Sequence, residues 1–122
     1  MTDPRWSPDG RSIAANSYDL HTVTIFDVGT QRWSALHLKM EMAFPEWSRD
    51  SQFIYFLQDW GDDRGVYRIR VKGGDTEEVL DLKSWRMTGW FHQWTGLDPT
   101  DAPLSLRDIG SNDIYALTLE QK

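Results

Sequence analysis

Apolar and polar positions alternate along much of the chain, and each alternating stretch is short. Thr24, Phe26 and Val28 share one side of an extended run, as do Tyr67, Ile69 and Val71, and again Tyr115, Leu117 and Leu119. A period of two with β-branched and aromatic enrichment marks a strand with one side turned inward. Asp9-Gly10 and Gly73-Gly74 fall between such runs, where glycine accepts the positive φ of a tight turn. Five Pro and nine Gly leave few windows long enough for an amphipathic helix. Lys39-Met40-Glu41-Met42-Ala43 has helical propensity, but it is short and abuts Phe44-Pro45, so it reads as a connector.

The pattern also repeats. Pro4-Arg5-Trp6-Ser7-Pro8-Asp9 returns as Pro45-Glu46-Trp47-Ser48-Arg49-Asp50, a spacing of 41 residues. Ile13-Ala14-Ala15 returns as Ile54-Tyr55-Phe56, and the run Val23–Val28 as Val66–Val71. A looser third copy begins near Trp90 and Trp94, passes Asp101, and ends in Ile114–Leu119. A period of roughly 40 residues suits both a four-stranded β-propeller blade and a helical repeat of the HEAT type. The strand alternation decides for the blade.

The expected fold class is therefore all-β, with about three four-stranded antiparallel blades, the last incomplete. The blades span about 1–43, 44–86 and 87–122 of one partial propeller. Inner strands are expected around Thr2–Trp6, Phe44–Trp47 and Met87–Trp94, and second strands at Ser12–Ser17, Phe53–Gln58 and Leu104–Arg107. Third strands follow at Thr22–Val28, Val66–Val71 and Asp113–Leu119, and outer strands at Arg32–Leu38 and Thr76–Leu82. The third blade lacks an outer strand before Lys122.

Trp6-Ser7-Pro8-Asp9-Gly10-Arg11-Ser12-Ile13-Ala14 resembles the signature of the WD40-like, or TolB-like, β-propeller repeat. The second blade carries it with Arg49 in place of Pro8 and Ser51 in place of Gly10. The third, from Trp94 through Asp101 to Leu117, resembles the closing repeat of bacterial propellers, some of which follow a winged-helix DNA-binding domain. The resemblance implies a structural role for Trp6, Asp9, Gly10, Trp47, Asp50, Trp94 and Asp101. The physics agrees. A tryptophan near the start of a blade supplies apolar area between sheets, and an aspartate in Ser-Pro-Asp-Gly accepts backbone N–H bonds across the turn.

Three blades do not close a ring of the usual 4–8 or so. An open wedge exposes Trp-rich blade surfaces, an aggregation hazard. Two chains supply six blades with two-fold symmetry. The expectation is that the chain pairs with itself, as half of a homodimeric six-bladed ring, or forms the tail of a longer propeller. Met1–Asp3 is too short to be the third blade's missing outer strand, since three residues span only about 10 Å.

Composition removes several functions. A net charge of −6 with 13 dispersed Lys and Arg offers no phosphate-binding patch, so no nucleic-acid partner is expected. Without cysteine there is no disulfide, thiolate nucleophile or thiolate metal site. No stretch reaches the roughly 18 apolar residues of a membrane span, and no signal peptide opens the chain. Resemblance to TolB suggests the periplasm, but the chain carries no export signal of its own.

Catalytic residues are not expected. No Gly-x-Ser-x-Gly elbow accompanies His21, His37 or His92, and no phosphate-cradling glycine motif occurs, so no cofactor is expected either. Asp59-Trp60-Gly61-Asp62-Asp63-Arg64-Gly65 gathers three carboxylates but fails the EF-hand spacing, so it reads as a solvated hairpin loop and not a metal site. Within it, Trp60 with Asp59, Asp62 and Asp63 is the candidate binding cluster, because an exposed aromatic on a loop is a common hot spot. The expected function is a non-enzymatic scaffold that self-assembles and receives a protein or peptide. The alternatives are a ligand sensor from the C-terminus of a bacterial regulator or TolB-like protein, or a piece cut from a parent.

Overall fold

The computed structural model describes residues 1–86 and 94–105, and every described regular element is a strand. Strands β1 (Thr2–Trp6), β2 (Ser12–Asn16), β3 (Thr22–Asp27) and β4 (Arg32–His37) form one antiparallel meander. Strands β5 (Ala43–Trp47), β6 (Phe53–Gln58), β7 (Gly65–Arg70) and β8 (Glu77–Asp81) form a second. Strands β9 (Trp94–Leu97) and β10 (Pro103–Ser105) pair as a two-stranded sheet. No described segment is helical, and 38–42 is an irregular connector between the first two sheets.

The inner strands carry a shared irregularity with a local cause. Thr2 faces Asn16 while Arg5 faces Ala14, so Asp3 and Pro4 together oppose Ala15. Phe44 and Pro45 sit likewise opposite Phe56, between the pairs Ala43↔Leu57 and Glu46↔Tyr55. Proline has no N–H to give the ladder, and a two-against-one bulge absorbs that loss. Asp3 and Phe44 take it up at φ 51° and 54°.

The first two sheets stack through their apolar sides. Ala14, Val23 and Ile25 of the first meet Trp47, Ile54, Phe56, Tyr67 and Ile69 of the second, with Leu38 and Met42 of the connector closing the cluster. The other side of the second sheet, through Tyr55, Leu57 and Val66, packs on Leu82, Trp85 and Leu97 toward the third. Five consecutive residues of β6, Ile54 to Gln58, are thus buried on both sides. Trp47 locks the junction twice. Its ring is buried in the cluster, and its indole N–H donates to the Arg5 carbonyl at 2.9 Å. Arg5 also pairs with Glu46 across the junction at 3.4 Å, a half-exposed contact worth well under about 1 kcal/mol.

The described strands of the third unit are Trp94–Leu97 and Pro103–Ser105. Of the expected inner strand Met87–Trp94 all but Trp94 lies outside the described residues, as do the last two residues of the expected second strand Leu104–Arg107. Leu97 pairs with Pro103 next to the turn, as Trp6 pairs with Ile13 and Trp47 with Ile54. Leu97 therefore holds the place of the repeat tryptophan, and Trp94 lies three residues upstream of it. Matching tryptophan to tryptophan misaligned the repeat, because a smaller apolar side chain fills the same slot here. The expected third strand, Asp113–Leu119, lies outside the described residues, as do Trp90 and His92.

Candidate interaction surfaces

One turn recurs between inner and second strands. Ser7 N–H donates to Ser12 O, Ser12 N–H returns to Ser7 Oγ, and Ser7 Oγ–H donates to Asp9 at 2.6 Å, which also accepts Arg11 N–H at 3.0 Å. Ser48, Asp50, Gln52 and Phe53 repeat every bond. The turn appears a third time, between β2 and β3. Ser17 Oγ–H donates to Asp19, which accepts His21 N–H at 2.9 Å. The shared Ser-x-Asp spacing was the available signal.

In the third unit the roles shift. Asp98 takes the serine's place and accepts from the Thr100 and Ala102 N–H groups at 2.7 and 3.0 Å. Asp101 does not repeat Asp9 and Asp50; it stands where Gly10 and Ser51 stand, its N–H on the first residue of the turn and its φ at 63°. From there its carboxylate reaches the second unit and accepts Arg49 N–H at 3.0 Å. Ser51 Oγ does the same one junction earlier, accepting Asp9 N–H at 3.3 Å.

These hydrogen bonds hold the carboxyls of Asp9, Asp19 and Asp50 below the usual carboxylate range, first through Ser7, Ser17 and Ser48 and then through backbone N–H groups. Asp98 is lowered likewise, first by the Thr100 hydroxyl. A carboxyl whose folded pKa is depressed contributes stability above its unfolded pKa of about 4 and loses it as pH falls through the folded value. Thermal melting should therefore be flat from about pH 5 to 7 and fall below about pH 4. The double variant Asp9→Asn, Asp50→Asn should lessen that acid slope, and an unchanged slope would refute the assignment.

The opposite end of the sheets gathers the hairpins at 17–21 and 59–64 with the connectors at 38–42 and 82–86. Leu38 and Met42 N–H groups donate to His21 and Leu20 carbonyls. Arg64 Nη2 donates to Lys83 O and Trp85 O at 3.2 and 3.0 Å. Trp60 lies in the second hairpin with 40% of its surface exposed, beside the exposed Asp62 and Asp63. Asp59 is partly buried at the hairpin's base, and the Asp63 carbonyl anchors the Tyr67 hydroxyl at 2.8 Å. The sequence reading missed Tyr18, which projects from the first hairpin at 81% exposure.

The candidate cluster is therefore a surface feature. Among the described residues no three His, Asp or Glu converge to hold a metal. His21 lies half-buried in its turn, and His37 is exposed on β4 with Nδ1 3.4 Å from Thr22 Oγ1.

A second surface is apolar. Met1, Pro4, Ile13, Ala15, Thr24, Phe26 and Trp33 line a groove of about 200 Å³ on the side of the first sheet turned away from the second. Phe26 and Trp33 rings lie 4.7 Å apart there. At the groove's edge Trp6 is 61% exposed, although its counterpart Trp47 is only 7% exposed. The alternation that places Tyr67 and Ile69 in the inter-sheet core places Thr24 and Phe26 on this open side.

Two antiparallel four-stranded meanders stacked side by side are the observation that decides the comparison. No protein-family model matches the chain, and no curated protein does. Among solved structures, a chain assigned as TolB from Agrobacterium tumefaciens matches with a TM-score of 0.51 at 26% identity. The fold is TolB-like in outline. The match covers 62% of this chain and spans 28% of that one. In a β-propeller, stacked meanders of this kind are adjacent blades, and the groove above lies on a side of the first sheet that no other described sheet covers.

Proposed function

We propose that this chain is a non-enzymatic β-propeller scaffold that completes its ring with a second copy and receives a protein or peptide at the hairpin end. The open side of the first unit supports this reading above all else. It has the architecture of the side that the second unit buries, including the tryptophan, yet leaves it to solvent. An apolar surface of this kind in a soluble protein marks a binding site. Light scattering behind size exclusion tests the pairing: twice the 14.2 kDa chain mass is the expected result, and a well-behaved monomer at every concentration overturns it.

At the hairpin end, Trp60 and Tyr18 supply aromatic anchors amid Asp19, Asp62 and Asp63, a combination suited to a basic segment. An arginine-rich peptide followed by fluorescence should bind, with affinity reduced at least about tenfold in Trp60→Ala and weakened by salt. Binding that ignores both changes excludes this surface. A small molecule that raises the melting temperature of a monomeric chain would instead favour the sensor reading.

A further inference from the structure

The internal junction specifies what the open side accepts. At that junction Trp47 is buried in the core cluster that also holds Ala14, Val23 and Ile25, and it donates its indole N–H to the Arg5 carbonyl at 2.9 Å. A second bond runs between turns: the side chain at the fourth turn position of one unit accepts a backbone N–H from the turn of the unit before. Ser51 Oγ holds Asp9 N–H, and the Asp101 carboxylate, in the matching place, holds Arg49 N–H.

The first unit carries the first device and not the second. Trp6 pairs with Ile13 as Trp47 does with Ile54, and so stands ready to repeat the ring insertion and the indole bond. The place of Ser51 and Asp101 is Gly10, which shares their left-handed backbone at φ 73° but has no side chain to reach with. On the third unit's far side, Gly96 holds the register place of Arg5, and Leu104 that of Ala14 and Tyr55. Leu104 is 47% exposed, whereas Ala14 and Tyr55 are buried at their junctions.

From this we infer that Trp6 docks on the third unit of a second copy, its indole N–H on the Gly96 carbonyl, in a seam that lacks the turn-to-turn bond of the internal junctions. The inference rests on the self-pairing reading and adds its chemistry: the seam is the joint at which the assembly opens, because it alone must hold without that bond.

Dilution through sedimentation velocity measures the dissociation constant of the pair. Trp6→Phe keeps an aromatic ring and loses the N–H. One hydrogen bond is worth up to about tenfold, and a two-fold ring has two such seams whose factors multiply, so the dissociation constant should rise by up to about a hundredfold. Gly10→Asp installs the missing carboxylate where a Cβ meets nothing within 4 Å, and should lower the constant by a similar factor. Melting of both variants below the dissociation constant reports that the single chain still folds. A wild-type chain that never pairs overturns the self-pairing reading itself. Pairing that Trp6→Phe leaves unchanged overturns the docking assignment alone, and pairing that Gly10→Asp fails to tighten overturns the missing-bond assignment.

Discussion

Replacing Trp47 by Ala should cost about 3–5 kcal/mol of folding stability, the range for deleting a buried aromatic. Trp47 is 7% exposed and joins both halves of the main core, so the cavity opens between two sheets that have few other ways to close it. The loss also strands the Arg5 carbonyl that accepts its indole N–H. Against the 5–15 kcal/mol or so that stabilises a typical domain, this is a large fraction. Trp6→Ala at the homologous position should change the stability of the single chain by no more than about 0.5 kcal/mol, because that ring is mostly in solvent. Urea unfolding of both variants at a concentration where the chain is monomeric makes the comparison, read from the midpoint at unchanged slope. Equal losses from the two substitutions would show that the unit boundary is misplaced.

The second large effect comes from a residue with no side chain. A Cβ on Gly65 would lie 2.6 Å from the Leu80 carbonyl oxygen and 3.3 Å from the Tyr67 ring. The nearest atom is backbone of the paired strand β8, so relief requires moving a strand rather than turning a side chain. Gly65→Ala should therefore cost about 3 kcal/mol, at the upper end for overpacking. Gly10→Ala is the informative contrast: space is open there, and only the positive φ opposes the methyl group. Melting temperatures of the two variants separate a steric cost from a conformational one. A Gly65→Ala protein as stable as the wild type would mean that β7 and β8 do not approach as closely as described.

Much of this architecture was legible in the chain. The strands of the first two units follow from alternation and turn residues, and their ends match the reading to within a residue or so, because short-range propensity and binary pattern agree there. The tip placement of Trp60 was equally readable, since Asp and Gly around it favour a loop. The third unit was not. Leu97 stands in the tryptophan's slot, and Asp98 replaces the serine in a turn one residue shorter, so residue identity misled where backbone register did not. Ser17 and Asp19 were within reach of the sequence, as their spacing repeats Ser7 and Asp9.

The sequence by itself determined that strands form, where they turn, and that the units repeat, because these depend on neighbours along the chain. Whether Trp6 or Trp47 is buried depends on whether another sheet lies against it. Closely similar short motifs therefore give one tryptophan locked in a core and one turned to solvent, and the stacking of the sheets distinguishes them.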